Sequence, residues 1–108
     1  MNPTELILKN FEKVSSIPRG SKNEAAIRNW LIKWATEHNC TSRTDEAGNL
    51  VIYVPASQGY QDHPTLILQG HMDMVCQKTQ ESAHDFTKDP IRLIRDGDWI
   101  RANGTTLG

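Results

Sequence analysis

Cysteine is scarce: Cys40 and Cys76 are the only two in 108 residues, far apart and in neither a zinc-finger nor a redox spacing. They read as reduced cytosolic thiols. Long apolar runs are missing as well. No stretch approaches the roughly 20 apolar residues that a bilayer-spanning helix needs. The opening segment, with a carboxylate at Glu5, has no apolar run long enough for a signal peptide, so export is not expected. Nor does charge of one sign dominate. Twelve Lys and Arg are interleaved with thirteen Asp and Glu for a formal net charge of −1, which excludes a basic footprint for nucleic acid and a polybasic membrane patch. There is no Gly-rich phosphate fingerprint between a strand and a helix, which argues against an α/β nucleotide binder, and no internal repeat or low-complexity tract.

What is present fits a soluble globular fold. Hydrophobic residues make up 37% and charged residues 23% of the chain, and the length suits one small domain with a modest core. Leu6, Phe11 and Val14, widened by Ile7, fall at helical spacings and predict a helix over residues 3 to 16, with Asn2 or Thr4 available as its cap. Pro18 and Gly20 break it. Ser21-Lys22-Asn23-Glu24 matches a capping box. The second helix it predicts carries Ala26, Ile27, Trp30, Leu31 and Trp34 on one stripe through about residue 38. Trp30 and Trp34, four apart, read as packing against a sheet rather than as a binding platform. Asn39 ends this helix, and His38 just before it suits the negative end of the helix dipole better than a metal.

Thr41 to Thr44 and Leu50 to Val54, around the turn Asp45 to Asn49, predict one hairpin. The run Thr65 to Gln69 reads as a buried central strand. Residues 72 to 90 are polar and non-periodic, a loop long enough to suggest a functional reason. Ile91 to Arg95 and Trp99 to Arg101, flanking Asp96-Gly97-Asp98, predict a second hairpin. The expected fold class is α/β, two helices followed by a mixed sheet.

Chemistry concentrates at Gly70-His71-Met72-Asp73, directly after the apolar run, where open α/β sheets place ligand-binding side chains. His71 can give an imidazole nitrogen to a divalent metal, and a carboxylate two residues on, Asp73, can accept the proton of the other ring nitrogen, fixing the tautomer and raising ligand basicity. By itself His-x-Asp is a weak pattern; the strand, the Gly and the long loop strengthen it. His84 reads as a surface histidine, His63 as a loop residue and Cys76 as a loop thiol. Arg19-Gly20-Ser21 has the look of an anion-binding helix entrance, although capping by Ser21 accounts for the same residues.

The segment Leu68-Gln69-Gly70-His71-Met72-Asp73-Met74-Val75 closely resembles the metal-binding segment of the aminoacyl-histidine dipeptidases, also called cytosol non-specific dipeptidases, within the aminoacylase and carboxypeptidase-like peptidases. The resemblance continues through Ile17 to Glu24, Asp45 to Leu50, His84-Asp85-Phe86 with Lys88-Asp89-Pro90, and Asn103 to Gly108. It implies that residues 1–108 form the amino-terminal part of the catalytic domain of a cytoplasmic dipeptidase with two zinc ions (Zn2+). In that reading His71 is a ligand to one zinc and Asp73 the catalytic carboxylate behind it. The implied substrate is a dipeptide, Xaa-His or of broad specificity; no nucleic acid or membrane partner is expected. In the resembling family Gly-Thr-Thr-Leu-Gly is followed at once by Ala-Asp, whose carboxylate bridges the metals, and the general-base Glu and the remaining ligands come later still. The 108 residues alone are therefore expected to be inactive. The rival reading is a non-catalytic fragment or interaction module whose exposed sheet edges associate with another copy as a homo-oligomer.

Overall fold

Asn2 starts the fold by closing a reciprocal cap: its side chain accepts from the Glu5 amide at 2.9 Å while Glu5 accepts from the Asn2 amide at 3.0 Å. Two of the orphan donors of the first turn are satisfied in this way, and helix α1 runs Pro3–Ser15. The structure, a computed structural model, describes residues 1–108. The buried face of α1 is not quite the stripe that periodicity suggests. Leu6 and Ile7 are exposed, and the inward positions are Leu8, Phe11, Val14 and the fully buried Ser15.

Helix α2 spans Ala25–Glu37. Ile27 and Ala35 are buried on it and Trp30, Leu31 and Trp34 are half-buried. Its end is built from two residues. Asn39 takes a left-handed φ of 56°, which asparagine tolerates better than most side chains. His38 stacks on Trp34 with ring centroids 4.0 Å apart and places Nδ1 2.7 Å from the Trp34 carbonyl. The same carbonyl also accepts from the His38 amide at 3.1 Å, so the ring adds a second contact at the helix C-terminus, in keeping with the local role its position suggests.

Both predicted hairpins form. Strands β1 (Thr41–Thr44) and β2 (Leu50–Tyr53) pair antiparallel with Thr41 opposite Tyr53, and β3 (Leu93–Asp96) and β4 (Trp99–Ala102) pair antiparallel with Leu93 opposite Ala102. Gly97, with φ 59°, supplies the positive dihedral that the two-residue turn between β3 and β4 requires. The class is α/β, as expected. Its strands make two separate two-stranded antiparallel sheets, and the parallel component is a single bridge between Gly20 and Met74.

The central strand expected at Thr65 to Gln69 is not formed. No residue of that run enters either ladder or a bridge, and Leu66, Ile67 and Leu68 are 81%, 82% and 88% exposed. An apolar run becomes a central strand only when strands on both sides take its amides and carbonyls and layers cover both faces. The chain sets nothing beside this one.

The chain divides into two compact units: Met1–Ile27 with Met72–Gly108, and Arg28–His71. In the first, Ile91 and Met74 are buried together with Ser15, Arg19 and Ile27, and the Ile91 amide donates to the Ser15 carbonyl at 3.0 Å. The loop 72–90 is tied down at its middle, where Thr79 donates to the Gly104 carbonyl and Thr106 to the Gln77 carbonyl, each at 2.8 Å. In the second unit, Arg28 Nη1 donates to the Gly48 carbonyl at 3.1 Å, fastening the β1–β2 turn to the helix.

Candidate active site

Asp73 stands in the first unit, half-buried, one residue before the Gly20–Met74 bridge. The bridge is closed by the Met74 amide donating to the Arg19 carbonyl at 2.9 Å, and this fixes the segment carrying Asp73 alongside the segment carrying Arg19, Gly20 and Ser21. Close approach is possible because residue 20 has no side chain: a Cβ there would lie 3.1 Å from Cys76 Sγ.

Ser21 is not a helix cap. Its hydroxyl donates to Asp73 Oδ2 at 2.6 Å, across a sequence separation of 52 residues. Glu24, the other half of the expected capping box, accepts instead from the Lys22 amide at 2.6 Å, and the helix begins only at Ala25. A short bond to a carboxylate is stronger than one to a neutral amide, so the pairing that wins is the long-range one.

Arg19 is only 7% exposed, and its Nε has no hydrogen-bond partner. Burial pushes the guanidinium below its ordinary pKa, and electrostatic interaction with Cys76 and Asp73 pulls it back up. An arginine stays charged even so. Sequence reasoning did not assign Arg19 or Ser21 to Asp73. The available signal was the Arg19-Gly20-Ser21 entrance with its affinity for an anion; the anion it binds is the protein's own carboxylate.

His71 is exposed and is the last residue of the second unit, two residues before Asp73 along the chain. No three His, Cys, Asp or Glu side chains of the 108 residues come together as a metal-holding group. A catalytic zinc ordinarily takes three protein ligands, and no such set is assembled in these 108 residues.

His84 is not a surface residue. It is half-buried with its Nε2 atom enclosed and unbonded, and it packs edge-on against Phe86 with centroids 4.5 Å apart. Its burial comes from the loop around it. Lys78 Nζ donates to the His84 carbonyl at 2.7 Å, and Thr87 donates twice to Asp85, from its amide at 2.9 Å and its hydroxyl at 2.6 Å. A cavity of about 700 Å³ opens beside His84, Asp89 and Arg92, and Asp73 is not among its walls. His63 lies exposed in its loop against Tyr60, and both cysteines are free thiols, as their positions imply. No helix is long and apolar enough to cross a membrane.

No family model matches the chain. It is similar to known proteins. The cytosol non-specific dipeptidase of Escherichia coli strain K12 is 43% identical over 98 residues, covering 91% of this chain and 20% of that protein. The crystal structure of aminoacylhistidine dipeptidase from Vibrio alginolyticus superimposes with a TM-score of 0.86 at 46% identity, again over 91% of this chain and 20% of the other. The chain thus spans about one fifth of the length of the relatives it matches. By sequence and by fold, it is a homologue of the cytosol non-specific and aminoacylhistidine dipeptidases over nine-tenths of its length.

Proposed function

We propose that residues 1–108 are the amino-terminal part of the catalytic domain of a zinc-dependent dipeptidase that works in the cytoplasm and hydrolyses Xaa-His or a broad range of dipeptides. The observation that carries this reading is the pairing of 46% identity with a TM-score of 0.86 against a dipeptidase, a level at which sequence and fold agree over the same stretch. His71 offers its imidazole to one of two zinc ions. Asp73 is the catalytic carboxylate, with the Ser21 hydroxyl bonded to its Oδ2 at 2.6 Å. Zinc, when bound, lowers the pKa of water and polarises a carbonyl. What these residues contribute is one ligand and one carboxylate, so the isolated segment is expected neither to retain two metals nor to turn over a dipeptide.

The test is His71→Ala in the full-length product of the gene. Zinc content should fall below the wild-type level of about two ions and dipeptide hydrolysis should collapse with it. Wild-type zinc occupancy in the variant would remove His71 from the ligand set.

A further inference from the structure

Nothing in the comparisons assigns a task to Ser21. Its hydroxyl, however, makes a 2.6 Å bond to Asp73 Oδ2 across 52 residues of chain, and the contact is no accident of a flexible side chain. The backbones on either side are locked together by the Gly20–Met74 bridge and the 2.9 Å bond from the Met74 amide to the Arg19 carbonyl. Gly20 lets the two segments approach to a distance at which a Cβ would already press on Cys76 Sγ at 3.1 Å. The second polar group here is Arg19, nine-tenths buried, whose charge interacts with that of Asp73.

We propose that Ser21 is a positioning residue for Asp73: its hydroxyl fixes the rotation of the carboxylate, so that the oxygen not bonded to Ser21 is presented in one orientation to the reacting centre. Arg19, next to Gly20 in the same segment, interacts with this carboxylate through its charge. This rests on Asp73 being the catalytic carboxylate of a dipeptidase. A carboxylate that orients a metal ligand or a water does so through direction as well as charge, and loss of such an outer partner ordinarily lowers metal affinity or activity about 10- to 100-fold. Because Ser21 touches Asp73 and no reacting atom, its removal should act on turnover and leave substrate capture intact.

The experiment uses the full-length product and three forms of it: wild type, Ser21→Ala and Ser21→Thr. In Ser21→Ala, kcat should drop about tenfold or more with KM and zinc content unchanged, and Ser21→Thr, which keeps the hydroxyl, should recover most of the loss. Crystal structures of the metal-free wild type and Ser21→Ala give a readout independent of activity. Asp73 should hold a single carboxylate orientation in the first and rotate or split into two in the second. An active wild type whose kcat is unchanged within twofold by Ser21→Ala overturns the positioning role and leaves the dipeptidase reading standing. An inert wild type overturns both.

Discussion

Gly20 and Met74 form the one parallel bridge in the chain, and the amide of Met74 donates to the carbonyl of Arg19 at 2.9 Å. Through this latch the segment after the first helix and the segment carrying Asp73 are held at a fixed spacing. Its tolerance is narrow: a methyl group on residue 20 would sit 3.1 Å from Cys76 Sγ. Gly20→Ala should therefore destabilise the protein by about 1 kcal/mol or somewhat more, the ordinary consequence of overpacking a contact that can yield a little. Cys76→Ala in the same molecule should return part of that loss. Urea unfolding of the two single variants and the double variant measures this coupling, and strict additivity would show that the two positions do not meet.

Gly48 makes the same kind of demand for a different reason. Its φ of 87° lies where a side chain is strained, and a Cβ there would come within 2.7 Å of Arg28 Nη1. The guanidinium can swing aside, but the dihedral cannot be relieved without rebuilding the turn. Gly48→Ala is expected to lower stability by about 1–2 kcal/mol, read as a fall in the urea midpoint. An unchanged midpoint would mean that the turn between β1 and β2 relaxes freely.

Asp45 and Asp85 give the molecule a pH dependence whose sign can be worked out. Hydrogen bonds from Asn49, side chain first and then backbone, hold Asp45 below the usual value of 3.8. Those from the Thr87 side chain and backbone do the same for Asp85. A carboxylate whose pKa is depressed by folding contributes stability above its unfolded value, and that contribution is lost as pH falls through the folded one. Asp45→Ala and Asp85→Ala should each be less stable than wild type at neutral pH, the gap closing below about pH 3.8. Thermal unfolding across that range is the check. A gap that persists undiminished into acid would assign the effect to packing rather than to charge.

Much of this fold was legible because its signals are local. The Asn2 to Glu5 cap, the left-handed Asn39, and the Asp45 and Gly97 turns all act within five residues of one another, and each appears where the sequence places it. The failures are long-range. Ser21 satisfies the local rule for a helix cap, yet its hydroxyl faces a carboxylate 52 residues away, and no window of sequence contains both. Thr65 to Gln69 has the composition of a central strand, but a strand depends on its neighbours, and Leu66 to Leu68 stand exposed. His84 becomes half-buried through loop contacts with Lys78 and Phe86 that follow no period. For the candidate site, the motif puts His71 and Asp73 forward as a proposal, while the bond from Ser21 to Asp73 became visible only where the Gly20–Met74 bridge sets the two segments side by side.

The proposed function gives residues 1–108 one part of a dipeptidase active site. The most direct measurement is zinc content and dipeptide hydrolysis for the 108-residue chain and the full-length product of its gene, prepared and assayed side by side. About two zinc ions and turnover are expected in the longer protein, with neither in the shorter. Dipeptide hydrolysis by the 108 residues alone would contradict the incompleteness of the site, and a full-length product that neither binds zinc nor cleaves dipeptides would contradict the function and leave an interaction module in its place.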